Sequence, residues 1–375
     1  MKKKILFYSV ARSDYDRYLP LLNEFQLSQT INFGIAINSV HLNSKFGKTY
    51  KFIDRKFKIF KPKYTLNRFN DKKDIIRNFS ENLIFLNKVL EEYKPNLLIV
   101  LGDRFEMLCG PLCAIQNNIP IIHFYGGSET KGSIDDYIRA SITKMSDFHF
   151  VVNKNYKKKI YKMGEKRDKI KITGLIGFEK FIKKNVISRN TLVKKFKLTP
   201  GEFILLSFHP ETKTNIKLNF QLKILENIIK HFDYKFIITY PNADDGNEKI
   251  IKFYDILDKK YSKLTVIKNC GQNLFINLIK YSKFMIGNSS AGIVEASFFK
   301  RYSINIGSRQ SGKVIPKNVI SVDWNENKIL SSIKFAIKNE KKISKKKLIS
   351  PYREMISAKE VVKFIVNTNW SNIKK

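Results

Sequence analysis

Leu97-Leu98-Ile99-Val100-Leu101-Gly102-Asp103-Arg104-Phe105-Glu106 is the stretch on which the reading of this chain turns. Five apolar residues without polar alternation suit a strand covered on both faces, as in a parallel sheet. The glycine and the charged residues behind it mark the strand's carboxyl tip, where open parallel sheets bind their ligands. An acid in that half-buried place is a candidate general acid or base, or else a cap for the following helix.

The same unit recurs on both sides of this stretch: a short apolar run, a polar turn, then a helical pattern. Strands are expected at 5–10, 31–37, 97–101, 120–124, 148–152 and 170–173, with helices at 17–26, 74–92, 105–116, 136–145 and 156–163. The rhythm lapses around 178–200, which is rich in lysine and asparagine and is read as the linker. It restarts with strands at 203–208, 235–240, 264–267, 284–287 and 302–306, and helices at 217–232, 247–257, 274–281, 291–299 and 358–368. The expected fold is α/β, two Rossmann-like domains facing across a cleft. The domains would cover 1–178 and 200–350, with 351–375 a helix returning to the first. No G-x-G-x-x-G follows the first strand, which counts against a nicotinamide or flavin enzyme, and no cofactor is expected.

Bulk composition is consistent with this. The 375 residues exceed one ordinary domain, and 43% hydrophobic and 13% aromatic content supports large cores. The net charge of +37 admits nucleic acid, an acidic membrane surface or an anionic substrate as partner. Lys2-Lys3-Lys4, Lys157-Lys158-Lys159 and Lys345-Lys346-Lys347 show the basic residues spread along the chain, so a solvated lysine-rich surface is the plainer reading and no nucleic-acid partner is expected. Cys109 and Cys113, one helical turn apart in apolar sequence, read as buried packing. Cysteine usage fits a reducing cytoplasm. No run approaches the roughly 18–20 apolar residues of a membrane span, so no membrane insertion is expected.

Several strand tips carry chemistry. Ala11-Arg12-Ser13-Asp14-Tyr15-Asp16-Arg17 puts two arginines in a strand-to-helix loop, as fork-shaped donors to phosphate or as ordinary loop polarity. His123-Phe124-Tyr125-Gly126-Gly127-Ser128-Glu129 leads to Gly132-Ser133-Ile134-Asp135-Asp136-Tyr137-Ile138-Arg139. Its paired glycines allow close backbone approach to a ligand, and Asp135 and Asp136 can charge the start of a helix. Asp103, Glu129 and Asp135 would together form a carboxylate cluster on one cleft wall. Ser207-Phe208-His209-Pro210-Glu211-Thr212 places a histidine where it either donates to a phosphate or simply packs. In Gly287-Asn288-Ser289-Ser290-Ala291-Gly292-Ile293-Val294-Glu295, small hydroxyl residues begin a helix, either to bind an anion or to cap it, and Glu295 could accept both hydroxyls of a ribose. With no P-loop lysine or zinc spacing, arginines and helix ends would neutralise a diphosphate.

Taken in order, these segments resemble the hydrolysing UDP-N-acetylglucosamine 2-epimerases of the sialic and legionaminic acid branch. The resemblance rests on residues 11–15, 102–106, 126–127, 134–139, 142–144, 208–212, 241–244, 287–295 and 305–310, and runs from 5 to about 366. It implies a GT-B-like fold, a nucleotide-sugar substrate and a cytoplasmic enzyme that is a homodimer or homotetramer. It also implies that Arg12, Asn242, Ser289, Ser290, Glu295 and Arg309 hold the nucleotide diphosphate. Asp16, Arg17, Arg104, Tyr125, Arg139 and Phe275 are counted with them as substrate-binding. The catalytic acids would be Asp103 and Asp135, joined by Glu129, with His209 beside the leaving phosphate. The chain departs from the family at Tyr125, Ser128 and Ala140, where glutamate or histidine, glutamate and histidine are usual. Such departures imply a shifted acid/base assignment, with Glu129 or Tyr125 substituting, a different sugar, or lost activity. The implied reaction eliminates the nucleotide diphosphate and adds water to leave the free 2-epimer. A glycosyltransferase of the same architecture is the alternative.

Overall fold

The computed structural model describes residues 2–44, 47–63, 72–130, 134–183, 187–211, 213–241, 246–268, 270–345 and 349–370. In chain order the elements are β1 (Lys3–Ser9), α1 (Arg12–Gln26), β2 (Ile31–Ile37), β3 (Ile59–Phe60), α2 (Lys72–Tyr93), β4 (Leu97–Leu101), α3 (Cys109–Gln116), β5 (Ile121–Phe124), α4 (Asp135–Met145), β6 (Phe148–Val151), α5 (Lys154–Lys162) and β7 (Ile170–Ile172). There follow α6 (Glu179–Lys183), α7 (Arg189–Phe196), β8 (Phe203–Ser207), α8 (Leu218–His231), β9 (Lys235–Thr239), α9 (Asn247–Lys260), β10 (Leu264–Ile267), α10 (Gly271–Tyr281), β11 (Met285–Gly287), β12 (Ser303–Ile306), β13 (Val319–Val322), α11 (Glu326–Lys345) and α12 (Ala358–Asn367).

Among the described residues the strands make two sheets, ordered β3-β2-β1-β4-β5-β6-β7 and β10-β9-β8-β11-β12-β13. Every pairing is parallel. The chain divides into two compact units. One comprises residues 1–128, 135–177 and 354–375, and the other 129–134 and 178–353.

In the first unit the strands alternate between two cores. Ile5 and Phe7 of β1 and Leu97, Ile99 and Leu101 of β4 face α1 and α12, while Leu6, Tyr8, Leu98 and Val100 face α2 and α3. Burying each such side chain contributes roughly 1.5–3 kcal/mol, which explains why these strands are apolar throughout. The helix α12 seats Val361, Val362 and Ile365 in the same core as Leu21, Leu22 and Phe25 of α1. Ser357 caps it by accepting from the Glu360 backbone N–H at 3.2 Å. Cys109 and Cys113 are buried thiols. The second unit packs Ile204 and Leu206 of β8 with α8, α9 and α11. Among the described residues no helix is long and apolar enough to cross a membrane.

Two expected helices need correction, and five of the described elements fall outside the expected set. The helix α1 begins at Arg12 rather than at 17, because the Asp14 carboxylate satisfies the Val10 and Ala11 N–H groups at 3.0 Å and secures the first turn. The stretch read as a linker contains α6 and α7, with Ser188 capping the latter at 3.1 Å from the Thr191 amide. The expected helix at 291–299 is replaced by two 3-10 turns, Ser290–Gly292 and Ala296–Phe298. There Gly292 packs under Ser303, and the Ser297 hydroxyl bonds the Val294 carbonyl at 2.6 Å in place of a helical amide. Finally, β3, β13 and α11 have no counterpart in the sequence reading. In α11, Ile329, Ile333, Ala336 and Ile343 form an apolar stripe inside a lysine-dense run.

Candidate active site

In the first sheet the order of connection reverses between β1 and β4, so the loops after these strands diverge and leave a place for a ligand at their carboxyl tips. Behind β1 the Asp14 carboxyl is buried, and burial raises it to about 6 against the opposing pull of Arg104 and the two amides it accepts. His41, also buried, lies between Ser9 Oγ at 3.0 Å and Thr49 Oγ1 at 2.9 Å. Burial and the nearby Arg104 lower it to about 3, so it is neutral. Arg104 is thus the positive group that both buried side chains sense. Arg12 stacks on Phe52 at 4.1 Å and pairs with Asp16 at 3.6 Å. Arg17 lies in the second turn of α1, not in the loop, with its guanidinium 5.6 Å from the Tyr125 ring centre. The Tyr125 hydroxyl accepts from the Ile176 amide at 3.2 Å.

Behind β4, Gly102 turns the chain at φ +79° and presents Asp103, which is ion-paired with Arg139 of α4. Arg139 is only 2% exposed. Its Nη1 donates to Ser128 O at 2.8 Å and to Asp136 Oδ1 at 3.0 Å. Burial opposes its charge, yet Asp103, Asp135 and Asp136 hold it protonated above its ordinary range. One buried guanidinium therefore gathers three carboxylates. Arg139, expected among the substrate-binding residues, thus makes its described bonds to Ser128, Asp136 and Asp103. Glu129 is grouped with the second unit, where its carboxylate packs against Gly312.

The second sheet reverses between β8 and β11. His209, just past β8, is buried, and Asn288, just past β11, clamps its backbone from both sides. The His209 N–H donates to Asn288 Oδ1 at 2.7 Å, and Asn288 Nδ2 donates to the His209 carbonyl at 2.8 Å. Gln310 Nε2 in turn bonds the Asn288 carbonyl at 2.8 Å. Glu211 accepts from the Arg309 amide and from Trp324 Nε1, each at 3.3 Å, while burial raises its carboxyl. Ser289 Oγ accepts from the Ala291 amide at 3.4 Å, beside Ser290. Glu295 and Arg309 are buried, and Phe275 is half-buried on α10. Asn242 lies outside the described residues.

Asn288 and Gln310 stand inside the segments 287–295 and 305–310 but carried no expected role. A buried amide at a strand tip was the available signal, since such a group must find backbone partners.

Two parallel sheets, each with polar groups gathered at its reversal point, define a two-unit Rossmann-like α/β protein. The sequence matches the family "UDP-N-acetylglucosamine 2-epimerase" over residues 23–366, and the chain belongs to that family. It is 34% identical over 333 residues to the GDP/UDP-N,N'-diacetylbacillosamine 2-epimerase (hydrolyzing) of Campylobacter jejuni, covering 87% of this chain and 85% of the relative. It is 30% identical over 348 residues to the UDP-N,N'-diacetylbacillosamine 2-epimerase (hydrolyzing) of Legionella pneumophila, covering 91% and 90%. Among solved structures, the UDP-GlcNAc 2-epimerase from Neisseria meningitidis bound to UDP-GlcNAc has the same fold, with a TM-score of 0.77 at 18% identity over 97% of this chain and 98% of that one.

Proposed function

We propose that this chain is a hydrolysing 2-epimerase that releases a nucleoside diphosphate and the free 2-epimer from a nucleotide-linked 2,4-diacetamido-6-deoxy sugar. The Campylobacter and Legionella relatives support that sugar class. The departures at Tyr125, Ser128 and Ala140 are consistent with a sugar other than N-acetylglucosamine. The observation that carries the reading is Asp103 fixed at the β4 tip by Arg139, with Asp135 and Asp136 around the same guanidinium.

Carbon 2 has no neighbouring carbonyl to acidify its proton, so the leaving group must depart as that proton is lost. A carboxylate, Asp103 or Asp135, takes the proton. Its electron pair becomes the C1–C2 double bond, and the C1–O bond to the diphosphate breaks. Water then adds at C1 while a second acid returns a proton to the opposite face of C2. His209, Ser289, Ser290 and Arg309 of the second unit stabilise the diphosphate where charge develops. Glu295 accepts from the ribose.

The test is incubation with UDP- and GDP-linked N-acetylglucosamine and diacetylbacillosamine in heavy water, followed by proton NMR. Release of nucleoside diphosphate with deuterium at carbon 2, fastest for the diacetamido donor, is the expected result. Replacing Asp103 by Asn should slow it by roughly 10²–10⁴-fold while the protein stays folded. Transfer of the sugar only to an added acceptor would overturn the proposal.

A further inference from the structure

His123, near the end of β5, is completely buried and lies between the parts that hold Asp103. Its Nε2 is 2.9 Å from the Gly102 carbonyl, which can only accept, so Nε2 carries the proton. In the neutral ring Nδ1 then accepts from the Thr143 hydroxyl at 3.2 Å. Thr143 follows Arg139 by four residues on α4, so one face of that helix aims Arg139 at Asp103 and Thr143 at His123. The contacts close a ring: Asp103 to Arg139, along α4 to Thr143, across the imidazole to Gly102, and back to Asp103. Gly102 is secured at its other end as well, its N–H donating to the Phe124 carbonyl at 2.9 Å.

Two further features belong to this arrangement. A Cβ on Gly126 would lie 3.0 Å from both Nδ1 and Cε1 of the ring and 3.1 Å from Thr143 Oγ1, so the glycine leaves the space the imidazole needs. Burial above all, then the proximity of His149 and Arg139, lowers His123 to about 3 against the pull of Asp103 and the Gly102 carbonyl, which keeps the ring in its neutral, one-donor form.

We infer that His123 is a positioning residue for the proposed epimerisation, a neutral imidazole strut that with Thr143 fixes the Gly102–Asp103 turn relative to the helix bearing Arg139. The inference rests on the reading of Asp103 as the working acid. An error near 1 Å in such a group costs on the order of 10²-fold in rate.

The variants His123→Leu, His123→Gln and Thr143→Val test it, with thermal unfolding measured alongside kinetics. The Leu variant should lose roughly 10–100-fold in kcat with KM changed less than about twofold, because the acid is displaced and the donor's binding groups are not. Gln, whose amide can reach the Gly102 carbonyl, should recover most of that loss, and Val at 143 should give a smaller loss in a folded protein. A second readout needs no turnover. With only five histidines in the chain, selective ¹⁵N labelling and the His123→Gln variant assign its signals. They should show Nε2–H with no titration between pH 5 and 8. An unchanged kcat in the folded Leu variant, an Nδ1–H tautomer, or a titration in that range would overturn the inference. If wild-type protein released no nucleotide from any donor, the proposed function would fall, and the ¹⁵N spectra would still decide the strut.

Discussion

Asn288 holds His209 by its main chain, accepting from its N–H at 2.7 Å and donating to its carbonyl at 2.8 Å, so that one side chain spans the reversal point of the second sheet. Both partners are buried, and an orphaned buried polar group costs about 1–3 kcal/mol. Asn288→Ala is therefore expected to lower the melting temperature by several degrees. It should also depress kcat by at least about tenfold, since the proposed reaction uses His209 at the leaving diphosphate and the substitution frees its backbone. Asn288→Asp, which turns a second acceptor oxygen toward the His209 carbonyl and buries a charge, should be at least as damaging as alanine. Thermal denaturation and steady-state kinetics on the two variants check this, and an Ala variant as active as wild type would refute the positioning role.

Arg139 makes contacts that lysine cannot reproduce. Its fork reaches Asp103 through one nitrogen and Ser128 O and Asp136 through the other, while a lysine offers a single centre. Arg139→Lys is expected to keep the charge but lose one arm, reducing kcat by roughly tenfold or more with a modest fall in stability. Arg139→Met leaves the Asp103 carboxylate without its buried counter-ion, and losses of about 3–5 kcal/mol are typical of such cuts. Urea unfolding should rank the chains wild type, Lys, Met. Equal stability of the Met variant would mean that the ion pair contributes nothing.

The fold was legible in the sequence wherever strands are covered on both faces. The run at 97–101 matches β4 end to end, because continuous apolar sequence with polar stops leaves little choice, and all five of its residues are buried. Legibility failed where composition hid the pattern. In α11 the stripe from Ile329 to Ile343 is diluted by lysines, and β3 is a two-residue edge strand. The site divides in the same way. That Asp103 and His209 stand at strand tips could be read locally. That Arg139 is consumed by Asp103, 36 positions away, could not, because only the parallel pairing of β4 with β5 brings the β4 tip next to the β5–α4 connection.

Asp14 should give the protein an inverted pH signature. Its carboxyl, ordinarily near 3.9, is raised to about 6 in the folded chain, chiefly by burial. The folded state thus binds the proton more tightly than the unfolded one. The stability this provides is complete below about pH 4 and is lost as pH climbs through 6. The loss amounts to about 3 kcal/mol at neutrality. Asp14→Asn stays neutral and retains an oxygen for the Val10 and Ala11 amides. The difference in melting temperature, wild type minus Asn variant, is expected to grow as pH falls from 7 to 4.5. Parallel curves would show that Asp14 ionises freely.

Two glycines at strand tips should respond differently to the same substitution. Gly102 has φ +79°, and nothing lies within 4 Å of a Cβ placed there. Alanine at 102 meets only the left-handed backbone penalty, about 1–2 kcal/mol. Gly287 has φ +132° and pairs directly with Ser207, whose carbonyl oxygen occupies the space a Cβ would need. The obstacle is main chain in a central strand, so it cannot rotate aside. Relief requires β8 and β11 to part, which also strains the adjoining clamp between Asn288 and His209. Gly287→Ala is therefore expected to cost more than about 4 kcal/mol, at the severe end for a single substitution. Soluble yield and urea midpoints for the two alanine variants test the contrast. Equal midpoints would mean that the close approach of Gly287 to Ser207 does not constrain this sheet.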